Sequence, residues 1–287
     1  MLGLLLAGGS FSLALAKEKG GMPDFCQDEE TCLPTSTANL IVWFGNHGYP
    51  KLIQPGDSKD NEYAHTIHQM MRDTKATFEE GTAMDSITSG IKQYIEDAGY
   101  SCDVEFRGLG KTAFTQDWLK DNDDPNKGFI LLLAYISYNA NQNTYANAWN
   151  AGHAVTLVNY TPEIFLIHDP AHEEDETGRK LLTAQALTDG NFVARDMNAP
   201  VNGLLLLSGS LLEAPPGAGV MLTGAVCITL HPAQVPGTSP APGPASGPES
   251  KIAGTETGTP APADSTAKPH GSDTSWTMWL FNFFFSK

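Results

Sequence analysis

Seven consecutive residues, Phe129-Ile130-Leu131-Leu132-Leu133-Ala134-Tyr135, form an apolar run with no polar alternation. That pattern suits a strand buried in the protein better than one with a wet face, so Gly128 to Ser137 is expected to be a buried strand. Ala154 to Tyr160 and Ile164 to Ile167 lie on either side of Thr161-Pro162-Glu163, which reads as a hairpin. Val201 to Leu212 and Val220 to Leu230 supply further strands. The earlier part of the chain reads differently. Ala38, Ile41, Val42 and Trp43 recur near helical spacing within Leu33 to Asn46. Pro34 suits a first turn, and Gly48 with Pro50 marks a stop. Glu62 to Asp73 and Asp85 to Asp97 are two more helices, the second ended by Gly99. Helices first and antiparallel strands afterwards predict an α+β domain with N-terminal helices packed on an antiparallel β-sheet.

This domain spans residues 22–232. From 233 to 275 the chain is dominated by Pro, Gly, Ala, Ser and Thr, which cannot bury enough apolar surface to offset chain entropy. An extended, mobile linker is expected there. It leads to Trp276-Thr277-Met278-Trp279-Leu280-Phe281-Asn282-Phe283-Phe284-Phe285-Ser286-Lys287. This tail, residues 276–287, is too short to span a bilayer as a helix and is rich in aromatics. It suits a membrane-interface or protein contact, or folds back on the domain. At the other end, Leu2 to Ala16 is uncharged and mostly apolar, with small residues at Ala14 and Ala16. Residues 1–16 read as a signal peptide, although no Lys or Arg precedes the apolar run. Export to the periplasm, cell envelope or extracellular space is the expectation. A formal net charge of -16 argues against sequence-independent nucleic-acid binding, which needs a basic face.

Cys32 immediately precedes the first expected helix, where unpaired amides and the helix dipole favour negative charge. The thiolate is the species that attacks a carbonyl. Gln27 lies within loop reach upstream, where its amide could donate to a developing oxyanion. His153, behind Gly152, heads the apolar stretch Ala154 to Tyr160, and Asp169 follows the next strand. In a tight hairpin the start of one strand lies near the end of the next, so Asp169 can orient the His153 ring. Cys32 and His153 are 121 positions apart (153 − 32), comparable with the ~130–150 of papain-type enzymes.

Cys32-Leu33-Pro34-Thr35-Ser36, Gly152-His153-Ala154-Val155-Thr156-Leu157-Val158 and His168-Asp169-Pro170 together resemble papain-like cysteine peptidases. The closer similarity is to the bacteriocin-leader (double-glycine) peptidase-like group, over roughly Met22 to Pro170. The resemblance implies a cysteine-bearing helix on an antiparallel sheet that carries the histidine and aspartate. It makes Cys32 the nucleophile, His153 the base, Asp169 the orienting acid and Gln27 the oxyanion donor. Two positions depart from the group. Leu33 stands where it has glycine, and its usual glutamine offset falls on Cys26. Cys26 is therefore also a candidate to pair with Cys32 as a disulfide.

Other constellations are thinner. His65 and His68 share a helix face, and His168 and His172 flank Asp169 near Glu173 and Glu174. Both read as solvated or loop histidines rather than metal ligands. Asp121 to Asn126 lacks the glycine and distal glutamate of a calcium loop. Asn139 to Asn150 reads as a long loop before His153. No cofactor or metal is expected, and the expected partner is a peptide or protein substrate. Two functions stay open: a cysteine hydrolase of peptide or amide bonds, and an inactive domain serving as a tethered binding module.

Overall fold

The computed structural model describes residues 19–232 apart from residues 29, 78–81, 83, 110, 113, 123, 174–175, 195–196, 210 and 212–216. The expected signal peptide, linker and aromatic tail lie outside the described residues. In chain order the helices are α1 (Cys32–Asn46), α2 (Ala64–Thr74), α3 (Met84–Asp97) and the short α4 (Gln116–Asp121). The strands are β1 (Cys102–Gly108), β2 (Lys127–Asn139), β3 (Thr144–Tyr160), β4 (Ile164–His168) and β5 (Arg179–Ala186). They continue with β6 (Asn191–Ala194), β7 (Met197–Pro200), β8 (Leu205–Ser208) and β9 (Gly219–Leu230).

Six of these strands close on themselves. β2 pairs with β3, β3 with β4, β4 with β5, β5 with β8, β8 with β9, and β9 returns to β2, all antiparallel. The expected α+β arrangement of helices packed on an antiparallel sheet is thereby overturned: the protein is mostly β, built on a closed six-stranded barrel. One strand that completes it carries little apolar signal. β5 has one fully buried residue, Leu182, amid exposed and half-buried neighbours, so its backbone pairing rather than its pattern places it in the wall.

Two long strands serve the barrel and its extensions at once. One edge of β9 meets β8 over residues 220–222 and β1 over residues 224–230. Strand β3 pairs with β4 near its end, while its start, Thr144–Ala146, pairs with β6 in parallel. Strand β7 then extends β6. The segment expected as a loop over Asn139 to Asn150 is therefore a turn followed by the first residues of β3.

The apolar run of β2 now has its reason. Phe129, Leu131, Leu133 and Tyr135 belong to the barrel core with Val155, Leu157, Phe165, Ile167, Leu205 and Leu222. Ile130, Leu132, Ala134 and Ile136 face a second core with Leu33, Leu40, Ile41 and Phe44 of α1. A strand buried on both faces has no place for a polar alternate. Helix α1 is likewise enclosed: every residue from Cys32 to Gly45 is buried. It ends where His47 and Tyr49 N–H both donate to Phe44 O, with Gly48 at φ +119° making the turn.

Candidate functional site

Cys32 is the first residue of α1, one position earlier than its sequence suggests. The N-cap residue Thr31 does not cap the helix. Its hydroxyl donates back to Asp28 O at 2.7 Å, and no acidic residue occupies the first turn. The positive end of α1 therefore begins at Cys32, with no acidic side chain in its first turn. Leu33, which stands where the resembled group has glycine, is fully buried in the helix-side core.

His153 sits inside β3 rather than at its head, opposite Leu133 and just beyond the irregularity in the β2–β3 register. Asp169 follows β4 directly. The hairpin brings the two together as expected: His153 Nε2 is 2.7 Å from Asp169 Oδ1, and both side chains are buried, at 2% and 0% exposure. Asp169 Oδ1 also accepts from Ala171 N at 3.1 Å, and Asp169 N donates to Gly178 O at 2.8 Å. A side chain at Gly178 would strike Asp169 O, Asp24 and His172, so glycine is what lets β5 start this close. Cys32 lies near enough to the same imidazole to favour its charged form. With Nε2 committed to Asp169, that leaves Nδ1 for the sulfur. The ring also stacks on buried Tyr135, with centroids 6.3 Å apart. Burial pulls the His153 pKa down. Hydrogen bonds and charge attraction from Asp169 and Cys32 outweigh it, and the net value lies well above the usual one.

The segment before α1 is stitched to the loop that carries Asp169. His168 Nδ1 donates to Pro23 O at 2.6 Å, and Gln27 N donates to Pro170 O at 2.8 Å. The Cys26 thiol donates to His172 O. Asp24 Oδ1 lies 3.7 Å from His168 and 3.6 Å from His172, and Asp24 Oδ2 accepts from Thr177 at 2.9 Å. Sequence reasoning missed this cluster, because only the fold places residues 23–27 beside residues 168–177.

All four cysteines are free thiols, so Cys26 and Cys32 are not bridged. Burial pushes the thiols of Cys102 and Cys227 up to about 11. Gln27 lines a cavity of about 150 Å³ with Cys26, Asp28, Thr35, Glu62 and His68. Cys32 and His153 are not among its walls. Of the other candidates, His65 pairs with Asp57 at 3.3 Å, and Asp124 caps a turn by accepting from Asn126 N at 2.7 Å. No set of three or more His, Cys, Asp or Glu among the described residues is arranged to hold a metal ion.

The fold and the site thus define a barrel protein with a buried thiol, imidazole and carboxylate in a row. No protein-family model and no curated protein matches the chain. The chemistry is therefore read from the side chains themselves.

Proposed function

We propose that the chain is an exported cysteine hydrolase that cleaves a peptide or amide bond through Cys32, His153 and Asp169. The observation that carries this reading is one buried imidazole, bonded to Asp169 through Nε2 at 2.7 Å and close enough to Cys32 for the sulfur to favour its charged form. A nucleophile and base within hydrogen-bond reach, with the base oriented by a third group, is the arrangement acyl transfer needs. The residue-level resemblance to papain-like cysteine peptidases supports the same chemistry.

In this reading the Cys32 thiolate attacks the carbonyl carbon. The C–S bond forms, the C–N bond breaks, and His153 gives its proton to the departing amine. Water then attacks the thioester and yields its proton to His153. The C–S bond breaks, and thiolate and carboxylic acid are regenerated. The resemblance gives Gln27 the oxyanion role, joined by the backbone amide of Cys32 at the start of α1. The peptide or protein substrate is met outside the cytoplasm.

A second reading is a non-catalytic binding module on the same fold. It draws on the burial of Cys32, 6% exposed, and on the absence of Cys32 from the cavity walls beside it. One measurement separates the two. A hydrolase labels Cys32 with iodoacetamide at pH 6 well ahead of Cys102 and Cys227, and His153→Ala abolishes the preference. Turnover of a peptide library, lost in Cys32→Ser, follows. Uniformly slow labelling of all three cysteines, with no turnover, favours the binding module.

A further inference from the structure

Ser36 and Asn39 lie four and seven residues beyond Cys32, a spacing that puts all three on one stripe of α1. Both are polar, both are fully buried, and both reach across to β3. Ser36 Oγ donates to Ala154 O at 2.9 Å, and Thr156 Oγ1 donates to Ser36 O at 2.8 Å. Asn39 Nδ2 donates to Thr156 Oγ1 at 3.4 Å, while Asn39 Oδ1 accepts from Phe25 N at 3.0 Å. Ala154 is the residue after His153, and Phe25 stands two residues before Gln27. One connected set of bonds therefore joins the helix of the thiol, the strand of the imidazole and the segment of Gln27.

We propose that this buried polar seam, Ser36 and Asn39 on α1 with Thr156 on β3, is a positioning device that sets the Cys32 thiol against the His153 ring. The inference rests on the thiol-hydrolase reading. An apolar helix face on a strand packs almost equally well after a small slide, because dispersion contacts have little direction. Hydrogen bonds have direction, and a buried group left without its partner is penalised, so the seam has one satisfied register. The lever is short. A one-residue slip along α1 is about 1.5 Å, and a misplacement of ~1 Å at a reacting centre costs on the order of a hundredfold in rate. The bonds of the three side chains go to Ala154 O, Ser36 O, Phe25 N and one another, not to the Cys32 sulfur or the His153 ring. They act through the backbone of His153's neighbour and of the helix that begins at Cys32.

The test is the pH profile of Cys32 alkylation by iodoacetamide, read by peptide mass spectrometry on the full chain alongside thermal melting. Thr156→Val keeps the shape and removes both of its bonds, whereas Thr156→Ser keeps the hydroxyl. Ile41→Val thins the α1 core, where Ile41 is fully buried, without touching the seam. Thr156→Val should slow Cys32 labelling at pH 6 by about tenfold and move the profile to higher pH. Thr156→Ser should return it to near wild type, and Ile41→Val should lower the melting temperature with the profile unmoved. If Thr156→Val does not fold, Ser36→Ala, which removes one bond, should shift the profile in the same direction by less. Unshifted seam variants, or an equal shift in Ile41→Val, overturn the proposal. A wild-type Cys32 that labels no faster than Cys102 and Cys227 overturns the hydrolase reading itself. The two failures are therefore distinct.

Discussion

The β3–β4 hairpin carries two buried histidines that treat a proton in opposite ways. His153 is 2% exposed and bonds Asp169 directly at 2.7 Å. His168 is 5% exposed and lies 3.7 Å from the Asp24 carboxylate, with its Nδ1–H spent on Pro23 O at 2.6 Å. Burial pulls both pKa values down. At His153 the bond to Asp169 and the influence of nearby Cys32 reverse the outcome, and the pKa is raised. At His168 burial, helped by Arg179 and His172, prevails over Asp24 and Pro23 O, and the pKa is lowered. A neighbouring carboxylate is not enough. It has to accept the imidazole proton in a direct bond to hold the charge in a dry site.

The sharpest way to break this contrast is Asp169→Asn. Without the carboxylate, burial dominates at His153, so its NMR titration should fall towards or below that of His168. Peptide turnover should drop by about ten-thousandfold, as loss of an orienting acid does elsewhere, and Cys32 alkylation at pH 6 should slow with it. A His153 titration that stays raised in this variant would refute the role given to Asp169.

Stability against pH should separate the two histidines by sign. His153, with its raised pKa, contributes stability that is fully present below about 6.5, the ordinary value, and is lost as pH rises through the folded value. His168, with its lowered pKa, contributes stability present above about 6.5 and lost as pH falls through the folded value. Urea unfolding from pH 5 to 9 should therefore show His153→Gln flattening the alkaline limb and His168→Gln flattening the acid limb. The same limb flattened by both variants would erase the distinction.

The smallest effect is expected from Asp24→Asn. The carboxylate is 23% exposed and beyond hydrogen-bond distance of either imidazole, so its loss should cost less than about 1 kcal/mol by urea unfolding. It should lower the His168 titration further, since Asp24 is the largest influence raising it.

The place of Cys32 at the start of α1 and the pairing of His153 with Asp169 were legible in the sequence because each depends on a local relation. A cysteine at a helix start and two residues across a hairpin need only short-range structure. The ends of α1, α2 and α3 fell within two residues of their sequence signals for the same reason. The barrel was not legible. Its closing strand β5 shows no apolar alternation, and β6 and β7 have four residues each, too few to carry a period, whereas β8 and β9 fall on the expected strands Val201 to Leu212 and Val220 to Leu230. The β2–β9 seam joins residues 127–136 to residues 219–229, a relation no window on the sequence contains. Ser36, Asn39 and Thr156 were visible only as polar residues in apolar elements. That signal marks a buried bond without naming its partner.

The position of β9 bears on how the chain reaches its fold. This strand, which ends the described barrel, is the neighbour of β1, β2 and β8 at once. While a ribosome is still making residues before Gly219, Cys32, His153 and Asp169 already exist, but β1 and β2 each lack the strand that covers an edge. Pairings of such long sequence separation form slowly, and open edges recruit other chains in the meantime. The triad therefore cannot be trimmed to a minimal fragment that ends after Asp169. Strand β9, the last strand among the described residues, is the one that turns an association-prone intermediate into a finished barrel, and it sets the shortest chain in which the proposed chemistry can be tested.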